Sequence, residues 1–308
     1  AYHYGLLATT RYPIPLIIVD GITVNGIEKS ALTIWLVNFL SSNGLRPAVI
    51  TCSYSDNYQE FPTEVTTSSD KTQVGDNALF LAFHCSKQNC PVWIGQDSST
   101  VGLDLLKANP DRNVLICDGG LHDYRLHRDL EILVLDTDKY YFGNGFTLPA
   151  GPLRDNLTRL NFADAIVLNE KNRQSFDQVD SSKIYYVKTN SSEFINHYHT
   201  SDYLKKITTT GQKSHAIASN RFSRRFYDQL SYLNITVSKQ SILNESQFTK
   251  RYIDSLNADN ILIKEEDAVR CLNFIDERFW ILKESIVANT ALQVTILNKL
   301  REKFMDAK

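Results

Sequence analysis

Residues 25–30 read NGIEKS, and the Lys29-Ser30 pair at their end has the chemistry of a phosphate site. A helix N-terminus offers backbone N–H groups to phosphate oxygens, a lysine adds positive charge, and a Ser hydroxyl is a magnesium ligand. Gly26 gives the turn one flexible point. A phosphate loop usually has a glycine directly before its lysine, and Glu28 stands there instead. Alone, Lys-Ser at a helix start fits a solvated N-terminus equally well. Three more acidic groups, Asp20, Asp118 and Asp136, each end an apolar run, where open α/β sheets bind ligands.

Such groups act only if elements hold them in place. PLIIVD (15–20) reads as a buried strand, and KSALTIWLVNFLSSNG (29–44) as a helix stopped at Gly44. RPAVITCSY (46–54), PVWIG (91–95), NVLICD (113–118), LEILVLD (130–136) and ADAIVLN (163–169) read as further strands. Helical spacing runs from Asp76 to His84, and again over 98–110 to Asn109-Pro110. Val-, Ile- and Leu-rich strands alternating with helices predict a mostly parallel sheet covered by helices on both faces.

The texture changes near residue 180. A strand-like stretch from Lys183 to Lys188 precedes a Thr-, Ser-, Asn- and His-rich connector over 189–213. HAIAS, SRRFYDQLSYLN, ITVSKQ, SQFTKRYIDSL, NILIKEEDA and FWILK then predict a second, smaller α/β unit, closed by a long helix over 285–307. The expected domains are 1–188 and 189–308, the second holding the connector and the final helix.

With 308 residues, the chain is long enough for one large or two ordinary domains. A net charge of −2, with no block of Lys and Arg, argues against nucleic acid as a partner. The five cysteines, Cys52, Cys85, Cys90, Cys117 and Cys271, lack zinc-site pairing and read as free thiols. No run approaches the ~20 apolar residues of a membrane span.

The longer pattern resembles a known family. PLIIVDGITVNGIEKSALTIWL, VGDNALFLA (74–82), CDGGLHDYRLHRDLEILVLD (117–136), FGNGFTLPAGPLRDNLTRL (142–160), AIASNRF (216–222) and LIKEEDAVRC (262–271) are similar, in order, to the tetraacyldisaccharide 4'-kinase, or lipid A 4'-kinase, family. The match spans nearly the whole chain. It implies a P-loop NTPase-like α/β kinase with a smaller C-terminal α/β domain. Its partners would be ATP, Mg2+ and an acylated glucosamine disaccharide, phosphorylated at the 4' hydroxyl. It also implies a peripheral place on the cytoplasmic face of the bacterial inner membrane; the chain is expected to be a monomer. The opening AYHYGLLATTRYP (1–13) stands where the family carries a hydrophobic helical segment, with Tyr2, Tyr4, Leu6 and Leu7 as candidate lipid contacts.

Carried over by position, Thr23, Val24, Asn25, Gly26, Ile27, Glu28, Lys29 and Ser30 form the nucleotide loop, and Ser30 and Asp118 hold the metal. Asp76 matches the aspartate of the family's GDE and is the candidate base; by itself it also fits a helix N-cap. Lys29 and Arg154 join it as catalytic candidates. Tyr54, His122, Asp123 and Asp155 match positions expected to face the substrate. Arg154 and Asp155 also fit a surface ion pair of small energetic weight.

The departures gather at the expected active site. Besides Glu28, Cys52 takes the place of an arginine, Ser53 and Ser55 take the place of two glycines on either side of Tyr54, and Gly119 replaces a second aspartate. ILNES replaces FPDHH, so the histidine expected to support the base falls on Glu245 or Ser246, beside Asn244. Glu266 replaces a lysine. A carboxylate at position 28 repels a phosphate by about 1–4 kcal/mol at ~4 Å. Each missing catalytic group costs about 10²–10⁴ in rate. The alternative expectation is a catalytically impaired homologue that binds lipid or nucleotide, or serves as a scaffold.

Overall fold

The structure, a computed structural model, describes residues 9–23, 29–52, 62–135, 142–170, 179–196, 212–220 and 223–306. The chain divides into two compact units, residues 1–189 with 286–308, and residues 190–285. The final helix therefore belongs to the first unit and not, as expected, to the second.

In the first unit, β1 (Leu16–Asp20), β2 (Pro47–Cys52), β3 (Thr63–Val65), β4 (Val92–Gly95), β5 (Val114–Asp118), β6 (Leu130–Leu135), β7 (Ala165–Asn169) and the start of β8 (Ile184–Asn196) lie in the order β8-β7-β6-β1-β5-β2-β4-β3. All pairs are parallel except β3 with β4. β1 sits between β5 and β6, with Val19 opposite Asp118 on one side and Ile132 on the other. Its residues are fully buried up to Val19, so both faces of the sheet are covered.

The helices follow from their sequences. α1 (Lys29–Ser42) buries Leu32, Leu36 and Leu40, spaced four apart on one stripe, and packs on β1, β2 and β5. Gly44, at φ +79°, ends it where L-residues fit poorly. A one-turn α2 (Lys71–Val74) is capped by the Asp70 side chain and leads through Gly75 into α3 (Asp76–Cys85). α4 (Ser98–Ala108) packs on β2 and β4; its Val101 and Leu105 join Leu16, Ile18, Ile50, Leu115 and Tyr12 in one core cluster.

In the second unit, β9 (Ser214–Ser219), β10 (Lys239–Leu243), β11 (Asn260–Lys264) and β12 (Phe279–Ala288) run parallel in the order β10-β9-β11-β12. α5 (Ser223–Tyr232), α6 (Lys250–Asp254) and α7 (Glu265–Ala268) connect them. Several expected boundaries move. Ile235 and Val237 pack as partly buried residues beside Phe226, after Asn234 turns the chain at φ +55°. The strand begins only at Lys239. Within 246–256, Asn244 and Gln247 first form a capping box around a 3-10 turn, and α6 follows. The expected connector begins as strand through Asn196, and β12 runs on to Ala288, so α8 (Thr290–Asp306) starts later than expected.

Candidate active site

Asp118 closes β5 with no exposed surface, and side chains from two helices converge on its carboxylate. Thr33 of α1 donates to Oδ1 at 2.9 Å, and Asn77 of α3 donates to Oδ2 at 2.8 Å. The Lys29 ammonium lies 3.6 Å from Oδ2, and the Ser30 hydroxyl 3.4 Å. Ser30 also donates to the Asn77 carbonyl at 2.6 Å. The strand thus brings one carboxylate to the carboxyl end of the sheet, where α1 contributes Lys29, Ser30 and Thr33 at or near its first turn.

The electrostatics hold Lys29 charged. Burial pulls its pKa down, but the Asp118 and Asp20 carboxylates outweigh that, and the net shift is upward. Asp20 has a different task. Its Oδ1 accepts from Gly21 N at 2.8 Å and its Oδ2 from Leu121 N at 3.0 Å, clamping the end of β1 to the turn after β5. That turn carries Gly119 at φ +108° and Gly120 at φ +86°. A Cβ built at Gly119 would sit 3.4 Å from the Lys29 ammonium.

Ser30 and Asp118 supply two hard oxygen donors side by side. Magnesium is commonly held by one or two protein oxygens together with substrate phosphates, so the donor chemistry fits it. Among the described residues, no group of three or more His, Cys, Asp or Glu could hold a metal ion by itself.

A second cluster surrounds Asp155. His122 Nε2 lies 3.8 Å from Asp155 Oδ2, the Tyr124 hydroxyl donates to the same oxygen at 3.4 Å, and Arg159 Nε is 3.9 Å away. Arg154 N donates to Ile22 O at 2.7 Å, tying this segment to the chain just after β1, and Thr23 pairs with Leu153. The exposed Arg154 guanidinium lowers the Lys29 pKa through its like charge, which places it in the same electrostatic neighbourhood.

The structure therefore groups Lys29, Ser30 and Asp118, and pairs His122 with Asp155. It does not leave Asp123 open for substrate. Arg125 holds both Asp123 oxygens, Nε to Oδ1 at 2.8 Å and Nη2 to Oδ2 at 2.9 Å. The Asp123 pKa is lowered: burial works against the charge, and the Arg125 hydrogen bonds and charge overcome it. Asp76 opens α3, one residue before Asn77, but the cap is Gly75, so Asp76 is not the N-cap its position suggested. Val24, Asn25, Gly26, Ile27, Glu28, Tyr54, Ser53, Ser55 and Asp136, with Tyr2, Tyr4, Leu6 and Leu7, lie outside the described residues.

Sequence reasoning missed Thr33 and Asn77. Both contact Asp118 across 85 and 41 residues of chain, and only folding reveals that proximity. Asn77's place directly after Asp76 was the one signal available. In the second unit, Glu245 meets Arg270 at 3.0 Å and Glu266 meets Lys264 at 3.6 Å, so both substituted acids are held by cations of that unit.

Comparison with known proteins points one way. The family model for tetraacyldisaccharide-1-P 4'-kinase matches residues 1–301. The tetraacyldisaccharide 4'-kinase of Nitrosomonas europaea is 38% identical over 307 residues, covering 100% of this chain and 77% of that protein. The Nitrosococcus oceani enzyme of the same name is 33% identical over 306 residues, covering 98% and 85%. The crystal structure of the "apo" form of LpxK from Aquifex aeolicus in complex with ATP superposes with a TM-score of 0.78 at 21% identity, covering 97% of this chain and 92% of that one. It shares the fold described above.

Proposed function

The chain belongs to the tetraacyldisaccharide-1-P 4'-kinase family, and from that premise we propose that it transfers the γ-phosphate of ATP to the 4' hydroxyl of a tetraacylated disaccharide. The observation that carries this reading is the convergence of Lys29, Ser30, Thr33 and Asn77 on the buried carboxylate of Asp118.

Phosphoryl transfer needs positioning and charge neutralisation more than covalent chemistry. Lys29 is the fixed cation for the β- and γ-phosphates, and its place against Asp118 limits where its ammonium can move. Ser30 and Asp118 would hold magnesium, which when bound offsets phosphate charge. Thr33 and Asn77 fix the Asp118 carboxylate, so it need not reorient during the reaction. Asp76, at the start of α3, takes the proton of the attacking hydroxyl. The sugar oxygen bonds to the γ-phosphorus as the bond to the β-phosphate oxygen breaks, and ADP leaves. The His122–Asp155 pair contacts the sugar.

Placement at a membrane surface fits this substrate class. Among the described residues, no helix is long and apolar enough to cross a membrane. The protein would act peripherally, on the cytoplasmic face of the inner membrane.

A single-turnover assay tests the reading, with enzyme in excess over labelled ATP and with magnesium and detergent-dispersed tetraacyl disaccharide. Label appearing at the 4' position supports it. No transfer under these conditions overturns it and favours a binding or scaffold role.

A further inference from the structure

The run Phe142–Leu153, FGNGFTLPAGPL, contains no ionisable side chain. Residues 143–150 within it are all exposed. Phe146 keeps 63% of its surface in water and Leu148 57%. Large apolar side chains are placed there although nothing among the described residues covers them.

The loop is also held firmly. Asn144 Nδ2 donates to Ala150 O at 2.8 Å, and its Oδ1 accepts from Phe146 N at 3.1 Å. Leu148 N donates to Leu153 O at 2.8 Å, and Leu153 N returns a bond to Phe146 O at 3.2 Å. A side chain at Gly151 would strike the Asn144 carbonyl and the Phe146 backbone. Leu153 is fully buried in a cluster with Ile22 and Leu121, so the base of the loop is rooted in the core. A mobile loop could fold its apolar residues inward; here backbone hydrogen bonds across the loop oppose that.

Directly after Leu153 comes the exposed Arg154, whose guanidinium makes no ion pair within 4.0 Å among the described residues. An uncharged apolar tip with a cation at its base is suited to an interface with hydrocarbon below and acidic headgroups above. We propose that this loop inserts Phe146 and Leu148 into the surface of an anionic bilayer and so holds the site beside it at the membrane. The choice of a lipid surface rests on the function proposed above; the rigidity and exposure do not.

Tryptophan at the tip reads insertion locally. Phe146→Trp and, as control, Phe162→Trp are compared with the parent protein, whose own three tryptophans are subtracted. Phe162 is 65% exposed but precedes β7, at the opposite end of the strands. Vesicles of phosphatidylethanolamine and phosphatidylglycerol with brominated acyl chains are the probe. The expected result is blue-shifted, quenched emission from position 146 and none from 162. Equal quenching at both positions, or at neither, overturns the proposal. So does a blue shift that grows with protein concentration without vesicles, which would assign the tip to a second copy of the chain. In sedimentation with unbrominated vesicles, Phe146→Ser with Leu148→Ser should weaken binding about tenfold or more; unchanged binding overturns the proposal. Phosphate transfer to detergent-dispersed disaccharide is measured apart from these readouts, so failure of the kinase reading and failure of insertion give different results.

Discussion

At the residue scale, Asp118 is the point through which the site is organised. Asp118→Asn keeps the size and the Thr33 contact but removes the charge facing Lys29 and Ser30. Phosphoryl transfer should fall by about 10²–10⁴ in single-turnover rate, with far less effect on thermal midpoint. Asn77→Ala should cost about tenfold in rate, because it frees the carboxylate without removing it. Asp123 tests a different claim, that its role is structural. Its folded pKa lies below the unfolded value, so its stabilisation is present above about pH 4 and is lost as pH falls through the folded value. Asp123→Asn should therefore lower the urea midpoint near neutral pH, and the gap from the parent should close on acidification. A constant gap would contradict the pairing. Lys29, Ser30 and Asp118 were legible because a phosphate loop and a strand end leave local patterns. Thr33, Asn77 and the capture of Asp123 by Arg125 were not, since each depends on a partner's position in space. Gly119 shows the limit most clearly. The sequence suggests restoring aspartate there, yet φ +108° disfavours any L-residue. Gly119→Asp should cost about 1–3 kcal/mol in urea unfolding before any catalytic gain is measured.

At the element scale, α4 offers a case where two rules predict opposite signs. Replacing a mid-helix glycine by alanine normally adds up to ~1 kcal/mol. At Gly102 the new methyl would collide with the Tyr12 ring, which is fixed because its hydroxyl donates to Ser98 O at 2.6 Å. Overpacking of this kind costs about 1–3 kcal/mol, so Gly102→Ala should destabilise. A raised thermal midpoint would show that the ring moves aside cheaply. The central parallel strands β1, β5, β6 and β7 were legible because each is short, rich in Val, Ile and Leu, and buried on both faces. The second unit was read less well. Its strands and turns are set by caps such as Asn244–Gln247 and by the left-handed Asn234, and these compete with the apolar pattern.

At the scale of the whole molecule, the second unit depends on a buried charge pair. Lys264 is completely buried, 2.8 Å from Glu284. Burial disfavours the Glu284 charge, but Lys264 and then Arg225 overcome it and depress its pKa strongly. Lys264→Met leaves a buried carboxylate without its main partner and should destabilise by about 3–5 kcal/mol, read as a lowered urea midpoint. The ownership of α8 was not legible in the sequence, because sequence neighbours usually fold together. Here residues 190–285 interrupt a unit that resumes at Ile286. Leu292, Ile296 and Leu300 of α8 are buried, and Lys299 and Lys303 pair with Asp164 and Asp129. A ribosome therefore delivers all of the interrupting unit before it delivers the helix that completes the first. Until then, the nascent kinase core stands open along the surface that α8 will cover, and a chaperone has that interval in which to hold it.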